Sequence, residues 1–122
     1  MKAFRDFEVE ALRILLRAAV SPAQMDLIEE YSGAVEYDYT GCGYFIKISD
    51  PALPVERSTR HLPSVIGNSG DVLCGFVAFL GNHELVLECH TWGPVDVPPD
   101  FRERNVQIST PSATNVGRPD AT

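Results

Sequence analysis

The chain reads as an α+β domain: two N-terminal helices packed on one face of a four- to five-stranded antiparallel sheet built from two hairpins. Three observations predict it. Apolar residues recur at helical spacing over Ala3–Val20 and again from Pro22 to about Tyr31; the period then switches to two from Val35 onward; and Asp71–Trp92 holds two apolar runs hinged on Gly81-Asn82.

In the first helix Phe4, Phe7, Ala11, Ile14 or Leu15 and Ala18 form one stripe, with Lys2, Arg5, Asp6, Glu10, Arg13 and Arg17 mostly outside it. Ser21-Pro22-Ala23-Gln24 has the form of a capping box with proline at the first helical position, and Val20 and Met25 stand where a hydrophobic staple needs them. Gly33 supplies the expected stop, since a left-handed residue just past a helix is usually glycine.

The first hairpin follows. Val35, Tyr37 and Tyr39 alternate on one strand and Tyr44, Ile46 and Ile48 on the next, with Gly41-Cys42 as the turn. That loop sets Tyr39 opposite Tyr44, Tyr37 opposite Ile46 and, on the reverse face, Glu36 opposite Lys47, so that both faces gain favourable cross-strand neighbours. Asp50–Gly70, rich in proline and glycine, is a long crossover in which Leu53–Arg57 is expected to form a short edge strand.

In the second hairpin, a Gly81-Asn82 loop places Leu80 opposite His83. One face then collects Val72, Cys74, Phe76, Ala78, Leu80, His83, Leu85, Leu87, Cys89 and Thr91, which is the core side. The other face sets Phe79 against Glu84, Val77 against Val86, Gly75 against Glu88, Leu73 against His90 and Asp71 against Trp92. A last strand is expected at Asn105–Ser109. Residues 1–109 make one domain, and 110–122 has the composition of a disordered tail.

Ten basic against seventeen acidic residues leave a net charge of −7, which argues against sequence-independent nucleic-acid binding and favours a basic partner. The odd count of three cysteines does not suit a disulfide framework, and Cys74 and Cys89 read as buried thiols acting as small hydrophobes. No basic region followed by an apolar one opens the chain, and no apolar run reaches the ~20 residues of a membrane helix, so cytoplasmic residence with no membrane partner is expected.

The distinctive polar group is Glu88, His90 and Trp92 on one strand face, with Glu84 on the same face and Asp71 across from the indole. A carboxylate beside an imidazole is the minimum for general acid–base work, but an open sheet face with polar and apolar residues alternating accounts for the pattern without chemistry. His61, His83 and His90 and the cysteines lack the close paired spacings of zinc sites, so no metal and no cofactor is expected. Gly67-Asn68-Ser69-Gly70 is similar to the four-residue nucleophile motif of chymotrypsin-like serine proteases. That family needs an upstream histidine and aspartate on two barrels, a framework this chain is too short to supply, and the segment reads as a polar turn.

The functional expectation is a small acidic binding protein docking a basic protein partner through an open sheet face at Asp71, Glu84, Glu88, His90 and Trp92, a bacterial immunity protein or toxin antagonist being one concrete form. Two alternatives compete with it. One is a small hydrolase using His90 with Glu88 or Asp71, and the other is a homodimer formed through the same face.

Overall fold

A computed structural model describes residues 2–110; the expected tail, apart from Thr110, lies outside the described residues. The fold is α+β, with two helices, α1 (Asp6–Leu15) and α2 (Pro22–Glu30), on one face of an antiparallel sheet. Among the described residues no helix is long and apolar enough to cross a membrane.

Helix α1 is shorter than its apolar stripe suggests. Ala18 turns into the left-handed region (φ 66°), a conformation that cannot propagate a right-handed helix, and the amides of Ala19 and Val20 close instead on the Leu16 carbonyl. The Ser21 capping box forms as expected, with the Ser21 amide donating to Gln24 Oε1 (2.8 Å) and the Gln24 amide donating to Ser21 Oγ (3.1 Å). The expected glycine stop is not used. Helix α2 ends where Tyr31 turns extended (φ −58°, ψ 129°), while Gly33 is the place where the Tyr31 ring passes close, its hydroxyl 2.7 Å from where a Cβ would stand.

The sheet has seven strands rather than four or five: β1 (Glu36–Tyr39), β2 (Gly43–Ser49), β3 (Ser58–Arg60), β4 (Ile66–Ser69), β5 (Val72–Gly81), β6 (Glu84–Thr91) and β7 (Gln107–Ser109). Their order is β1-β2-β6-β5-β4-β7, and β3 lies end to end with β4 along the same edge of the long strand β5. The crossover is therefore structured, its edge strand at Ser58–Arg60 and not at Leu53–Arg57. Ser69 of the protease-like motif pairs with Val72 in a tight hairpin whose turn is held by the Asn68 amide group donating to the Gly70 carbonyl (3.2 Å).

The β1–β2 register is as expected, with Glu36 opposite Lys47, Tyr37 opposite Ile46 and Tyr39 opposite Tyr44. The β5–β6 hairpin is shifted by two residues. Its loop is Asn82-His83, both left-handed (φ 53° and 62°), and Gly81 pairs with Glu84. The crossover decides this: the Asn82 amide donates to the Val55 carbonyl (2.9 Å), the His83 amide to Pro54 (3.0 Å), and the Asp50 amide to His83 (3.0 Å). A shift of two keeps every side chain on its face but changes its neighbours. His83 leaves the core side for the turn, Cys74 pairs with Thr91, and Cys89 pairs with Phe76. Cys74 and Cys89 are free, buried thiols, and Cys42 is exposed.

The core lies between the helices and one sheet face. Phe7 of α1 packs on Phe76 of β5 (ring centroids 6.2 Å) and meets Phe101 edge-on (5.9 Å). Residues 94–106 return over the same face as a strap, fastened by the buried Val97, Phe101 and Val106, and by the Tyr39 hydroxyl donating to the Val97 carbonyl (2.8 Å).

The strap also closes a buried charged cluster, the one such cluster among the described residues, which the sequence reading missed. Glu8 on α1 is fully buried, and each carboxyl oxygen accepts two hydrogen bonds. Oε1 receives the Arg5 amide (2.7 Å) and Arg102 Nη2 (2.8 Å); Oε2 receives Arg102 Nε (2.7 Å) and the Tyr44 hydroxyl (2.6 Å). The Arg102 guanidinium faces the rings of Tyr37 (5.6 Å) and Tyr44 (5.8 Å), giving it aromatic faces as well as a counter-ion. Burial, and then the charge of Glu8, push the Tyr44 hydroxyl well above the ordinary tyrosine pKa. Burial alone would lower the Arg102 pKa, but its hydrogen bonds to Glu8 and that residue's charge outweigh this and leave it raised.

Candidate functional site

With both helices and the strap on one side, the opposite sheet face is left open among the described residues, and its strands place side chains in cross-strand rows. One row runs Asp38, Phe45, Glu88, Val77; the next runs Glu36, Lys47, Val86, Phe79, Thr59; a third runs Gly43, His90, Gly75, Ile66. Phe45, Val77, Phe79, Val86 and Leu73 are half-buried, so an apolar floor shows between the charged groups.

The five residues singled out from sequence do not all meet. Glu84, Glu88 and His90 lie on this face along β6, and Trp92 follows just past the strand, 55% exposed. Asp71 stands apart in the β4–β5 turn. It does not face the indole, because the two-residue shift brings Leu73 there, its carbonyl accepting from the Trp92 amide (2.9 Å). Gly75 makes room for His90 and not for Glu88. A Cβ on Gly75 would stand 2.6 Å from His90 Nε2 and 2.9 Å from Trp92 Cε3, and the two rings pack side by side above it with centroids 6.2 Å apart. Phe45 and Asp38, not singled out beforehand, follow from the β1–β2 register, which was legible.

The charges are unevenly matched. Lys47 lies between Glu36 (3.6 Å) and Glu84 (3.7 Å). Among the described residues Glu88 and Asp38 have no basic side chain within ion-pair distance, although Glu88 is half-buried between Phe45 and Val77. Among the described residues no hydrogen bond joins His90 to Glu88 or Asp71, and the imidazole packs beside the Trp92 indole. On the core side, the neighbouring Cys74 thiol and burial both raise the Cys89 pKa and disfavour the nucleophilic thiolate. Among the described residues no three His, Cys, Asp or Glu side chains are grouped to hold a metal ion.

The space over Gly75 has a direct readout, since Trp92 is the chain's single tryptophan. Gly75→Ala should push the His90 and Trp92 rings aside and shift the intrinsic fluorescence maximum. The clash is with side chains that can move, so the cost in stability should stay within about 1–3 kcal/mol; an unchanged spectrum would show that the rings do not sit over this residue.

A scan against protein-family models and searches of curated proteins and of solved structures find no match to this chain.

Proposed function

We propose that the open sheet face is the docking surface for a basic protein partner, and that the chain is a small acidic binding protein of the cytoplasm, of the kind that neutralises a toxin. The observation that supports this reading most is Glu88. A half-buried carboxylate set between two apolar side chains without a counter-ion is poorly satisfied in the free protein and gains from an incoming Lys or Arg. Glu36, Asp38 and Glu84 extend the negative field around Lys47, while Phe45, Val77, Phe79 and Val86 offer the apolar contact area that interface centres use. Stacking the face on a second copy of itself sets carboxylates near carboxylates, so the charge favours a different molecule.

The test is kinetic. With the partner captured from the producing cells, Glu84→Lys/Glu88→Lys is expected to slow association by roughly tenfold at low salt and flatten its salt dependence. Glu88→Lys alone should carry most of this, because Glu84 is already neutralised by Lys47. Glu10→Lys, on the helix side, should leave the rate unchanged. Equal association rates for the face and helix-side variants would remove the face from the account.

A further inference from the structure

At the β3 end of the open face lies a hollow of about 290 Å³, lined among others by Arg57, Thr59, Phe79, Glu84 and Val86. Its floor is the Phe79–Val86 cross-strand pair, and β3 walls it on one side. The stem of Arg57 lies across Gly81, with Cγ only 2.8 Å from where a Cβ would stand, so the glycine lets the arginine close one wall. Arg57 has no carboxylate within ion-pair distance among the described residues, whereas Glu84 opposite it already has Lys47.

We infer that this hollow is the anchor pocket of the docking face and that it takes one aromatic side chain of the partner. The inference rests on the docking reading above and adds to it the identity of the anchoring group. The volume lies just under the ~300–1,000 Å³ of small-molecule sites, which suits a single side chain. An apolar floor containing one ring favours a second ring in edge or offset contact, and a guanidinium without a counter-ion favours the face of an aromatic over any cation. Glu84 disfavours an anion in the same space. A neutral aromatic satisfies all three, and aromatic residues are the usual anchors at interface centres.

The experiment needs no partner. The full ¹⁵N-labelled chain is titrated with N-acetyl-tyrosinamide, N-acetyl-phenylalaninamide, N-acetyl-leucinamide and N-acetyl-argininamide while its amide spectrum is followed. The aromatic amides are expected to give saturable shifts confined to Ser58–Arg60 and Gly81–Val86. Leucinamide and argininamide should bind more weakly by roughly threefold to tenfold. Phe79→Leu, which keeps apolar volume and loses the ring, should weaken the aromatic amides by a similar factor, with the dispersion of the same spectrum reporting that the fold is intact. Absence of localised shifts, or binding of argininamide or leucinamide as tight as the aromatics, overturns the inference. Aromatic binding alongside charge-reversed variants that still associate normally would keep the pocket and discard the acidic face.

Discussion

Arg102→Ala is expected to destabilise the protein by roughly 3–5 kcal/mol, the cost of leaving a buried ion without its partner. Glu8 is fully enclosed and Arg102 supplies two of its four hydrogen bonds, so the truncation leaves two acceptor positions empty on a buried carboxylate. Against a total of ~5–15 kcal/mol for a domain of this size, such a loss is about a fifth or more of the whole, readable as a lower urea midpoint. Replacing the group together, Glu8→Leu/Tyr44→Phe/Arg102→Met, should restore much of it, because the buried charge is removed with its side-chain partners and only the part-buried Arg5 amide and Ala3 carbonyl lose a partner. If Arg102→Ala unfolds at the wild-type midpoint, the cluster is not sealed from water. The same cluster sets the alkaline limit. The fold raises the Tyr44 pKa, so the neutral hydroxyl is the form it favours; that contribution is whole below the ordinary value near ~10 and is lost as pH rises beyond it. Tyr44→Phe should remove part of the fall in stability above that pH.

Phe101→Ala should cost roughly 3–5 kcal/mol, the range for deleting a fully buried phenylalanine. Phe101 is fully buried and meets Phe7 edge-on, so its loss opens a cavity at the point where the strap presses on α1. It is also the residue next to Arg102, and the two anchors hold one short 3₁₀ turn, Phe101–Glu103, against the helix. Their effects should therefore not add. A Phe101→Ala/Arg102→Ala double variant that loses the plain sum would mean that the strap is not held as a unit.

How far the sequence could be read depended on which contacts set each element. The β1–β2 register was legible because the turn residues and the pairs on both faces agree: Tyr39 with Tyr44 on one side, Glu36 with Lys47 on the other. In β5–β6 the faces were legible and the partners were not. Gly81-Asn82 is the locally favoured loop, but hydrogen bonds to the carbonyls of Pro54 and Val55, nearly thirty residues away in sequence, select Asn82-His83 instead. The short strands β3 and β4 escape pattern reading for a related reason, whereas the last strand, β7, falls within the expected Asn105–Ser109. Ser58–Arg60 and the Gly67-bearing Ile66–Ser69 owe their extended form to the edge of β5 and not to their own alternation. Glu8 could have been found: Phe4 and Leu12, four residues before and after it, are both buried, so an acid there had to lie on the apolar stripe. Its partner Arg102 could not, since nothing local to the 94–106 segment says that it crosses back to α1.

The site shows the same division. Glu84, Glu88 and His90 share a face by alternation alone, whichever partner β6 takes, whereas Asp71 entered the group only through a pairing with Trp92 that the fold does not make. What the structure adds is the unmatched Glu88 between Phe45 and Val77, and the hollow beside Phe79.

The central claim, that the open face meets another protein, is tested most directly by photocrosslinking in the producing cell. A benzoylphenylalanine in place of Phe45 puts the probe on the open face, and one in place of Arg17 puts it on the exposed helix side. A discrete protein adduct is expected from position 45 and none from position 17. An adduct from position 17 with none from position 45 would contradict it.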